Sequence, residues 1–336
     1  MPHVPAEFPD DDPWMAAMRG GDLAAAWTIS DEVLQRHRMS GEQNWDRPRH
    51  LQHIWTGEPL AGRRVLVRCY HGLGDTIQFV RFIRPLRALA RHVVVWAQPA
   101  LLELVASAAG VDEVLALHDG IPDADYDVDV EIMELPHALR VTAIPSGVPY
   151  LYPPCAVRGC NEDRSFTVGV VWEAGSWDLR RSLPLSLMRR IGDLPGIRLI
   201  SLQVGTAAAQ APSIPAATTD CSTLNQTAAR ILELDLVISV DTMVAHLAGA
   251  LGRPVWTLLH ADCDWRWGTG RSDCVWYPTM RLFRQARAND WATVVEQLRV
   301  ALLRQSATGS AAAAGGKEQT LPLRRSAVGD EKQAVG

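Results

Sequence analysis

Two polar segments of the sequence lie where an apolar run gives way to a helical pattern. The first, HGLGDTIQF (residues 71–79), follows the run VLVRCY and brings Asp75 to the expected start of a helix. The second, SVDTMVAHLAGALGRPVW (residues 239–256), brings Asp241 and Thr242 to the start of another helix. The first segment thus puts a carboxylate where a dinucleotide-binding fold would hold a phosphate, and the second offers a helix N-terminus to an anion.

The second segment has the features of a diphosphate receptor. A helix N-terminus carries unpaired backbone N–H groups and the positive end of the helix dipole. Thr242 and His246 are spaced i, i+4 and lie on one helical face, so both could address the same anion. The alternative interpretation is that Asp241 or Thr242 simply caps the helix and His246 is a hydrogen-bonded packing residue.

Strand patterns alternate with helical patterns around both segments. Those of the first half are RVLVRCY, HVVVWAQ, DEVLAL and YDVDVEI, and those of the second are FTVGVVW, IRLISLQ, DLVISV and PVWTLL. A helix with an internal proline is expected over residues 76–90. Such alternation predicts an α/β fold with a parallel sheet in each half, and therefore two Rossmann-like domains. Because such sheets bind ligands at the carboxyl ends of their strands, we expect the site in the cleft between the halves.

Pattern changes along the chain divide it into five parts. We expect a disordered segment at 1–13, a helical segment and linker at 14–60, a first Rossmann-like domain at 61–150, a second at 151–304 that ends in an amphipathic helix, and a disordered tail at 305–336. Within the helical segment, GGDLAAAW is similar to a fragment of a tetratricopeptide hairpin. One such unit cannot bury its own apolar face, so we expect it to pack on the following domain rather than on a partner.

Composition and charge limit the function classes. The chain has 336 residues, 47% of them hydrophobic, and a formal net charge of −5, which argues against a nucleic-acid partner. The six cysteines are Cys69, Cys155, Cys160, Cys221, Cys263 and Cys274. They lack the spacing of a zinc site and fit a reducing compartment. Without a secretory signal or an apolar run of about 20 residues, we expect a cytoplasmic protein with no transmembrane segment. A peripheral position at the inner membrane stays open.

Both polar segments resemble motifs of glycosyltransferase family 9, the family of the lipopolysaccharide heptosyltransferases. LDLVISVDTMVAHLAGALGRPVW is similar to its donor-site motif, and CYHGLGDTIQFVRFIRPL to its N-terminal motif. WYPTMRLFRQ and LAGRRVLVRCYHGLGDT are closer to a bacterial branch in which this domain often follows tetratricopeptide repeats. The likeness covers roughly residues 60–300, with both motifs in the expected order.

The resemblance implies a fold of the GT-B type and a sugar transfer. It indicates an inverting, metal-independent glycosyltransferase without a cofactor, whose donor is a nucleotide diphosphate sugar. This donor would be ADP-heptose, as is usual in the family, or another nucleotide sugar. The acceptor would be a lipopolysaccharide core, another glycan or a protein side chain. The first half would bind the acceptor and the second half the donor.

The resemblance also implies roles for the motif residues. Asp241, Thr242 and His246 would hold the donor diphosphate, and Asp75 would be the catalytic base that takes the proton of the acceptor hydroxyl. Gly72 and Gly74 would let the backbone turn tightly and leave room for that hydroxyl. The alternative is that Asp75 is a plain helix cap.

Further candidates follow strands of the second half. WDLRRSLPL resembles the family segment in which a basic residue before a hydrophobic-Pro pair meets the phosphates; Arg181 matches that position and Arg180 is a second candidate, the alternative being a solvated pair. Gln203 is expected to line the nucleotide pocket. Trp265 and Trp267 either stack on a base or sugar or pin their loop to the core.

Two other functions compete with sugar transfer as interpretations of the sequence. The segment EAGSWDLRRS (173–182) departs from the family pattern, which favours a catalytically inactive module that senses nucleotides and engages a partner through residues 14–39. The intact Gly-Asp and Asp-Thr…His motifs favour the enzyme. A nicotinamide-dependent dehydrogenase is disfavoured because neither half contains G-x-G-x-x-G.

Overall fold

A computed structural model describes residues 12–40, 46–154, 165–176, 178–213, 216–217 and 221–315. Most of the segment 1–13 and of the tail 305–336, both predicted to be disordered, lies outside the described residues. Trp177, within the segment that departs from the family pattern, also lies outside them. None of the described helices combines the length and the hydropathy needed to span a membrane.

The first half is a parallel four-stranded sheet with the order β3-β2-β1-β4. Its strands are β1 (Arg64–Arg68), β2 (His92–Ala97), β3 (Glu113–Ala116) and β4 (Val128–Glu131). Its helices are α3 (Leu73–Phe79), α4 (Ile83–Leu89), α5 (Leu102–Ala106) and α6 (Leu135–Ala138). The central strands β1 and β2 are continuous apolar runs because they are buried on both faces.

The described residues of the second half form a parallel six-stranded sheet with the order β10-β9-β8-β5-β6-β7. Its strands are β5 (Phe166–Val171), β6 (Ile197–Ser201), β7 (Ala216–Ala217), β8 (Leu236–Val240), β9 (Val255–Leu259) and β10 (Met280–Arg284). Its helices are α7 (Leu185–Gly192), α8 (Leu224–Glu233), α9 (Met243–Ala250) and α10 (Trp291–Gly315). The expectation of two Rossmann-like halves is confirmed, and the last helix continues to Gly315 instead of ending at residue 304.

The strand order explains why both polar segments lie at a possible ligand-binding edge. In each half the first strand of the series is flanked by the second and the fourth: β1 lies between β2 and β4, and β5 lies between β6 and β8. Successive connections therefore leave to opposite sides, which opens a crevice at the carboxyl ends of these strands. HGLGDTIQF follows β1 and Asp241 follows β8, so each half presents its motif at its own switch point.

The helix predicted over residues 76–90 is interrupted in the structure. It consists of α3 and α4, which are separated by a 3₁₀ turn at Val80–Phe82. Pro85 lies in the first turn of α4, where an amide N–H would have no helical partner in any case. The interruption follows from Pro85, which was predicted to lie inside a single helix.

The N-terminal segment forms two helices, α1 (Pro13–Gly20) and α2 (Leu23–Ser40). α2 packs on the first half, where the indole N–H of Trp27 donates to the carbonyl of Val141 at 2.8 Å. α1 packs on the second half, where Trp14 meets Trp265 edge-on with ring centroids 5.3 Å apart. The expectation that this segment packs on the rest of the chain is confirmed, and the segment contacts both halves.

Candidate functional site

Asp75 lies in the crevice between the halves. It is the third residue of α3, and its Oδ2 accepts the N–H of Gly72 at 3.0 Å, as a helix-capping carboxylate does. Its other oxygen, Oδ1, accepts from Nη2 of Arg266, a residue of the second half, at 2.6 Å. The side chain therefore combines the capping role that was the alternative interpretation with a position that faces the opposite half.

At Gly74 the structure gives a reason for glycine that differs from the tight turn predicted for Gly72 and Gly74. Gly72 has extended backbone angles, φ −69° and ψ 163°, and Gly74 lies within α3, so neither requires a left-handed conformation. A Cβ on Gly74 would lie 3.0 Å from Cδ2 of His246 and 3.6 Å from Cα of Met243. Gly74 is thus the point where α3 and α9 meet closely, and the expectation of a glycine-dependent tight turn is wrong.

Asp241 ends β8 inside the second half, next to the N-terminus of α9. Its Oδ2 accepts the indole N–H of Trp267 at 3.0 Å and lies 4.0 Å from Nη1 of Arg181. Burial raises the pKa of Asp241, an effect that the neighbouring Arg181 opposes. The carboxylate is held by an indole and a guanidinium at the edge where an anion would meet the helix.

The two arginines after β5 point in different directions. Arg181 is mostly buried and donates from Nη1 to the main-chain carbonyl of Asp241 at 3.1 Å. Arg180 is 62% exposed and pairs with Asp178 through an Nε–Oδ1 hydrogen bond of 3.0 Å. The structure therefore brings Arg181 to the start of α9 and leaves Arg180 at the surface.

His246 is enclosed and uncharged. Its Nδ1 lies 3.0 Å from the hydroxyl of Tyr277, and its ring stacks on Trp267 with centroids 5.3 Å apart. Burial, with a further contribution from Arg266 and other arginines, lowers the pKa of His246 to about 3. In this arrangement the ring packs against α3, as the alternative interpretation described.

Thr242 is the N-cap residue of α9, and its hydroxyl lies 2.9 Å from that of Ser239. Its side chain makes no capping hydrogen bond to the helix, and the residue is only half-buried. Of the pair expected to share one anion, Thr242 therefore lies at the helix start, whereas His246 lies one turn behind it.

Part of the second half matches a known protein family. The sequence model described as Glycosyltransferase family 9 (heptosyltransferase) matches residues 216–271, a stretch that includes Asp241, His246 and Arg266. The resemblance to glycosyltransferase family 9 is confirmed. The matched stretch thus contains Arg266, the residue of the second half that binds Asp75.

Solved structures of family 9 proteins share the fold, which is GT-B. The glycosyl transferase family 9 protein from Veillonella parvula has a TM-score of 0.51 and 13% identity, covering 75% of this chain and 99% of that one. E. coli heptosyltransferase WaaC with ADP has a TM-score of 0.51 and 15% identity, covering 73% of this chain and 99% of that one. E. coli ADP-heptose lps heptosyltransferase II has a TM-score of 0.51 and 15% identity, covering 72% of this chain and 99% of that one.

A curated relative is much longer than this chain. Protein FlbA from Caulobacter vibrioides is 23% identical over 285 residues, which cover 74% of this chain and 48% of FlbA. This chain thus spans about half the length of the curated relative that it matches.

Gln203, which was predicted to line the nucleotide pocket, has a different role in the structure. Its Oε1 accepts the N–H groups of Trp172 and Glu173, each at 3.0 Å, and its Nε2 donates to the carbonyls of Glu173 and Val204, each at 3.1 Å. The carboxamide is fully used by main-chain partners. It fixes the loop after β5 and has no group left for a nucleotide.

The tryptophans of the loop after β9 are core residues. Trp265 and Trp267 are 7% and 1% exposed. Trp265 meets Trp276 with ring centroids 6.0 Å apart, while Trp267 holds Asp241 and His246. The interpretation that these rings pin their loop to the core is confirmed.

Sequence reasoning missed Arg266, which lies between these two tryptophans. Its guanidinium donates to Asp75 and, through Nη1, to Oδ2 of Asp264 at 2.9 Å. Burial alone would lower the pKa of Arg266, but Asp264 and Asp75 outweigh it and raise the pKa. An arginine inside a tryptophan-rich loop, two residues after Asp264, was the available signal, because a buried guanidinium needs carboxylate partners.

The first half also holds a buried acid that the motifs did not indicate. Glu131 ends β4 beside β1, and its Oε1 accepts the N–H of Tyr70 at 3.3 Å. Burial raises the pKa of Glu131 well above its usual value. Nε2 of His71 lies 3.7 Å from Oε2 of Glu131, so these two groups form the wall of the crevice next to Asp75.

Proposed function

We propose that this protein is an inverting glycosyltransferase that moves a sugar from a nucleotide diphosphate donor to a hydroxyl of a glycan or protein. The observation that carries the proposal is the placement of Asp75 in the crevice opposite Arg181, Asp241 and the start of α9. The match to family 9 and the shared GT-B fold support a glycosyltransferase. ADP-heptose is the first donor to test, because similar structures include a heptosyltransferase with ADP.

The second half supplies the groups for a departing nucleotide diphosphate. The first N–H groups of α9 have no helical partner, and the helix dipole adds positive potential at the same point. The Arg181 guanidinium lies beside this terminus and can bind phosphate oxygens through two hydrogen bonds. These groups would stabilise the charge that develops on the leaving group without a metal ion.

The first half supplies the proton acceptor. In the proposed step the acceptor oxygen attacks the anomeric carbon while the bond from that carbon to the diphosphate oxygen breaks. The hydroxyl proton passes to the Asp75 carboxylate, and the electron pair of the broken bond leaves with the diphosphate. Because the nucleophile and the leaving group lie on opposite faces of the sugar, a single displacement inverts the configuration.

The remaining candidates act at a distance from the sugar in this proposal. Gln203 fixes the loop that leads from β5 to Arg181, and Arg180 stays at the surface. Thr242 lies at the helix terminus and can offer its hydroxyl to a phosphate, while His246 packs against Gly74 of α3.

The decisive experiment compares Asp75→Asn with the unsubstituted protein on a panel of nucleotide sugars. The amide keeps the size of the side chain but cannot take up the proton, so we expect transfer to slow by roughly 10²–10⁴-fold. Nucleotide affinity, measured by calorimetry, should remain unchanged because Asp75 belongs to the acceptor half. Tight nucleotide binding with no turnover on any donor would instead indicate a nucleotide-sensing module.

A further inference from the structure

Arg266 joins the two halves at the site. Its side chain is 11% exposed, and its Nη2 contacts Asp75 of α3 across a sequence separation of 191 residues. Asp264 binds the other terminal nitrogen, so the two carboxylates lie on different nitrogens of one guanidinium. Asp75–Arg266 is therefore an ion pair between the acceptor half and the donor half.

The position of this guanidinium is fixed from several directions. It lies over the ring of Trp265 at 4.7 Å from the centroid, and over that of Phe79 at 5.7 Å. The main-chain carbonyl of Arg266 accepts the indole N–H of Trp276 at 3.0 Å. Trp265 is itself packed between Trp14 and Trp276. A side chain held in this way can impose its geometry on a flexible partner.

Asp75 is held at both oxygens when the halves are together. Oδ2 is bound by the N–H of Gly72 from its own helix, and Oδ1 by Arg266 from the opposite half. Each carboxylate oxygen has two lone pairs, so one on each remains for an incoming hydroxyl. With Arg266 withdrawn, only the Gly72 contact would restrain the carboxylate.

We propose that Arg266 is a positioning residue for the proton acceptor: it fixes the Asp75 carboxylate, and it does so only when the two halves are closed. The inference rests on the proposed function, in which Asp75 is the base. It adds that the donor half, through the 3₁₀ turn Trp265–Trp267, sets the geometry of a group on the acceptor half. Proton transfer is thereby coupled to closure.

The test is a double-mutant cycle with Asp75→Asn, Arg266→Met and both together, measured as kcat and donor KM. Misplacing a catalytic group by about 1 Å costs roughly 10²-fold, so Arg266→Met should lower kcat by about that factor with donor KM changed less than about threefold. In the Asp75→Asn background the same substitution should cost nothing further. Methylguanidine should restore part of the rate of Arg266→Ala, which a purely structural defect would not allow.

Arg271→Met is the matched control, because Arg271 pairs with Asp273 in the same region of the chain but outside the crevice. It should leave kcat unchanged. An equal loss from Arg266→Met in both backgrounds, or a large rise in donor KM, would place Arg266 on the donor and overturn the inference.

Failure of the proposed function can be told apart from failure of this inference. If no donor supports transfer, the proposed function fails, and the same four proteins are compared by thermal unfolding. Coupled Asp75 and Arg266 predict that the double variant loses less Tm than the sum of the two single variants. Additive losses would show that Arg266 does not hold Asp75, and would overturn the inference without reference to activity.

Discussion

At the scale of single residues, the site separates groups that face the crevice from neighbours that only resemble them in sequence. Arg181 and Arg180 are adjacent, yet one contacts Asp241 and the other is solvated. The difference arises from the 3₁₀ turn Leu179–Arg181, in which Asp178 caps the turn and binds Arg180. Arg181, the last residue of that turn, donates instead to the main-chain carbonyl of Asp241, next to the start of α9.

These two arginines provide a matched test of the proposed donor site. Arg181→Ala should weaken nucleotide diphosphate binding by about 10–100-fold, because a hydrogen bond to a charged group contributes about 1.5–3 kcal/mol. Arg180→Ala should leave binding nearly unchanged, since the side chain is exposed and an exposed ion pair contributes little. Thermal shift with ADP measures both, because stabilisation grows with the logarithm of ligand excess over Kd. Equal losses for the two variants would contradict the assignment of Arg181.

At the scale of elements, the N-terminal helices support the 3₁₀ turn Trp265–Trp267. α2 is anchored to the first half, where Asp31 pairs with both His137 and Arg140. α1 places Trp14 against Trp265, the residue that precedes Arg266. The helical pair therefore supports the turn that carries Arg266.

Removing this support should affect both stability and rate. Trp14→Ala should lower the free energy of unfolding by about 2 kcal/mol, less than a fully buried tryptophan costs, because the residue is half-buried. It should also lower kcat, because the Trp265–Trp267 turn loses a packing partner. Urea unfolding and initial rates provide the measurements, with Met39→Ala on the exposed face of α2 as the control. An unchanged kcat in Trp14→Ala would show that the N-terminal helices do not influence the site.

At the scale of the whole molecule, two Rossmann-like sheets meet through α3 and α9 at the switch points of both. The contact is close because Gly74 has no side chain, and it is polar at its edge because Asp75 meets Arg266 there. Acids near the carboxyl ends of the first sheet make the free energy of unfolding depend on pH. Among them, burial raises the pKa of Glu134 to about 7, against the opposing hydrogen bonds from the N–H groups of Glu131 and Trp55.

This raised pKa gives global stability a definite pH dependence. Between the ordinary value of 4.5 and about 7, the folded protein binds more protons at Glu134 than the unfolded chain does. Its contribution to stability is therefore fully present below pH 4.5 and is lost as the pH rises through about 7. Glu134→Gln should remove a loss on the order of 2 kcal/mol between pH 5 and pH 8.

Urea unfolding of both proteins at these two pH values is the measurement, and Glu296→Gln on the exposed face of α10 is the control. The control should keep the pH dependence of the unsubstituted protein. The same dependence in Glu134→Gln would show that this carboxyl does not carry the effect.

The sequence by itself determined the two sheets and the position of each motif. Continuous apolar strands and intervening helical patterns require a parallel sheet buried on both faces, and the residue that follows such a strand must lie at its carboxyl edge. Asp75 and Asp241 could therefore be assigned to one crevice before any coordinates were known, and the resemblance to family 9 added Arg181. The family motifs within these segments pointed to the same residues.

Only the tertiary structure decided which side chains have groups left for a ligand. Gln203 and Arg180 have suitable chemistry, but hydrogen bonds to the main chain and to Asp178 use them. Arg266 was missed because its partner lies 191 residues away, and no local pattern records a contact between halves. Periodicity fixes which way a strand or helix faces, whereas partners distant in sequence are fixed only when the two sheets pack against each other.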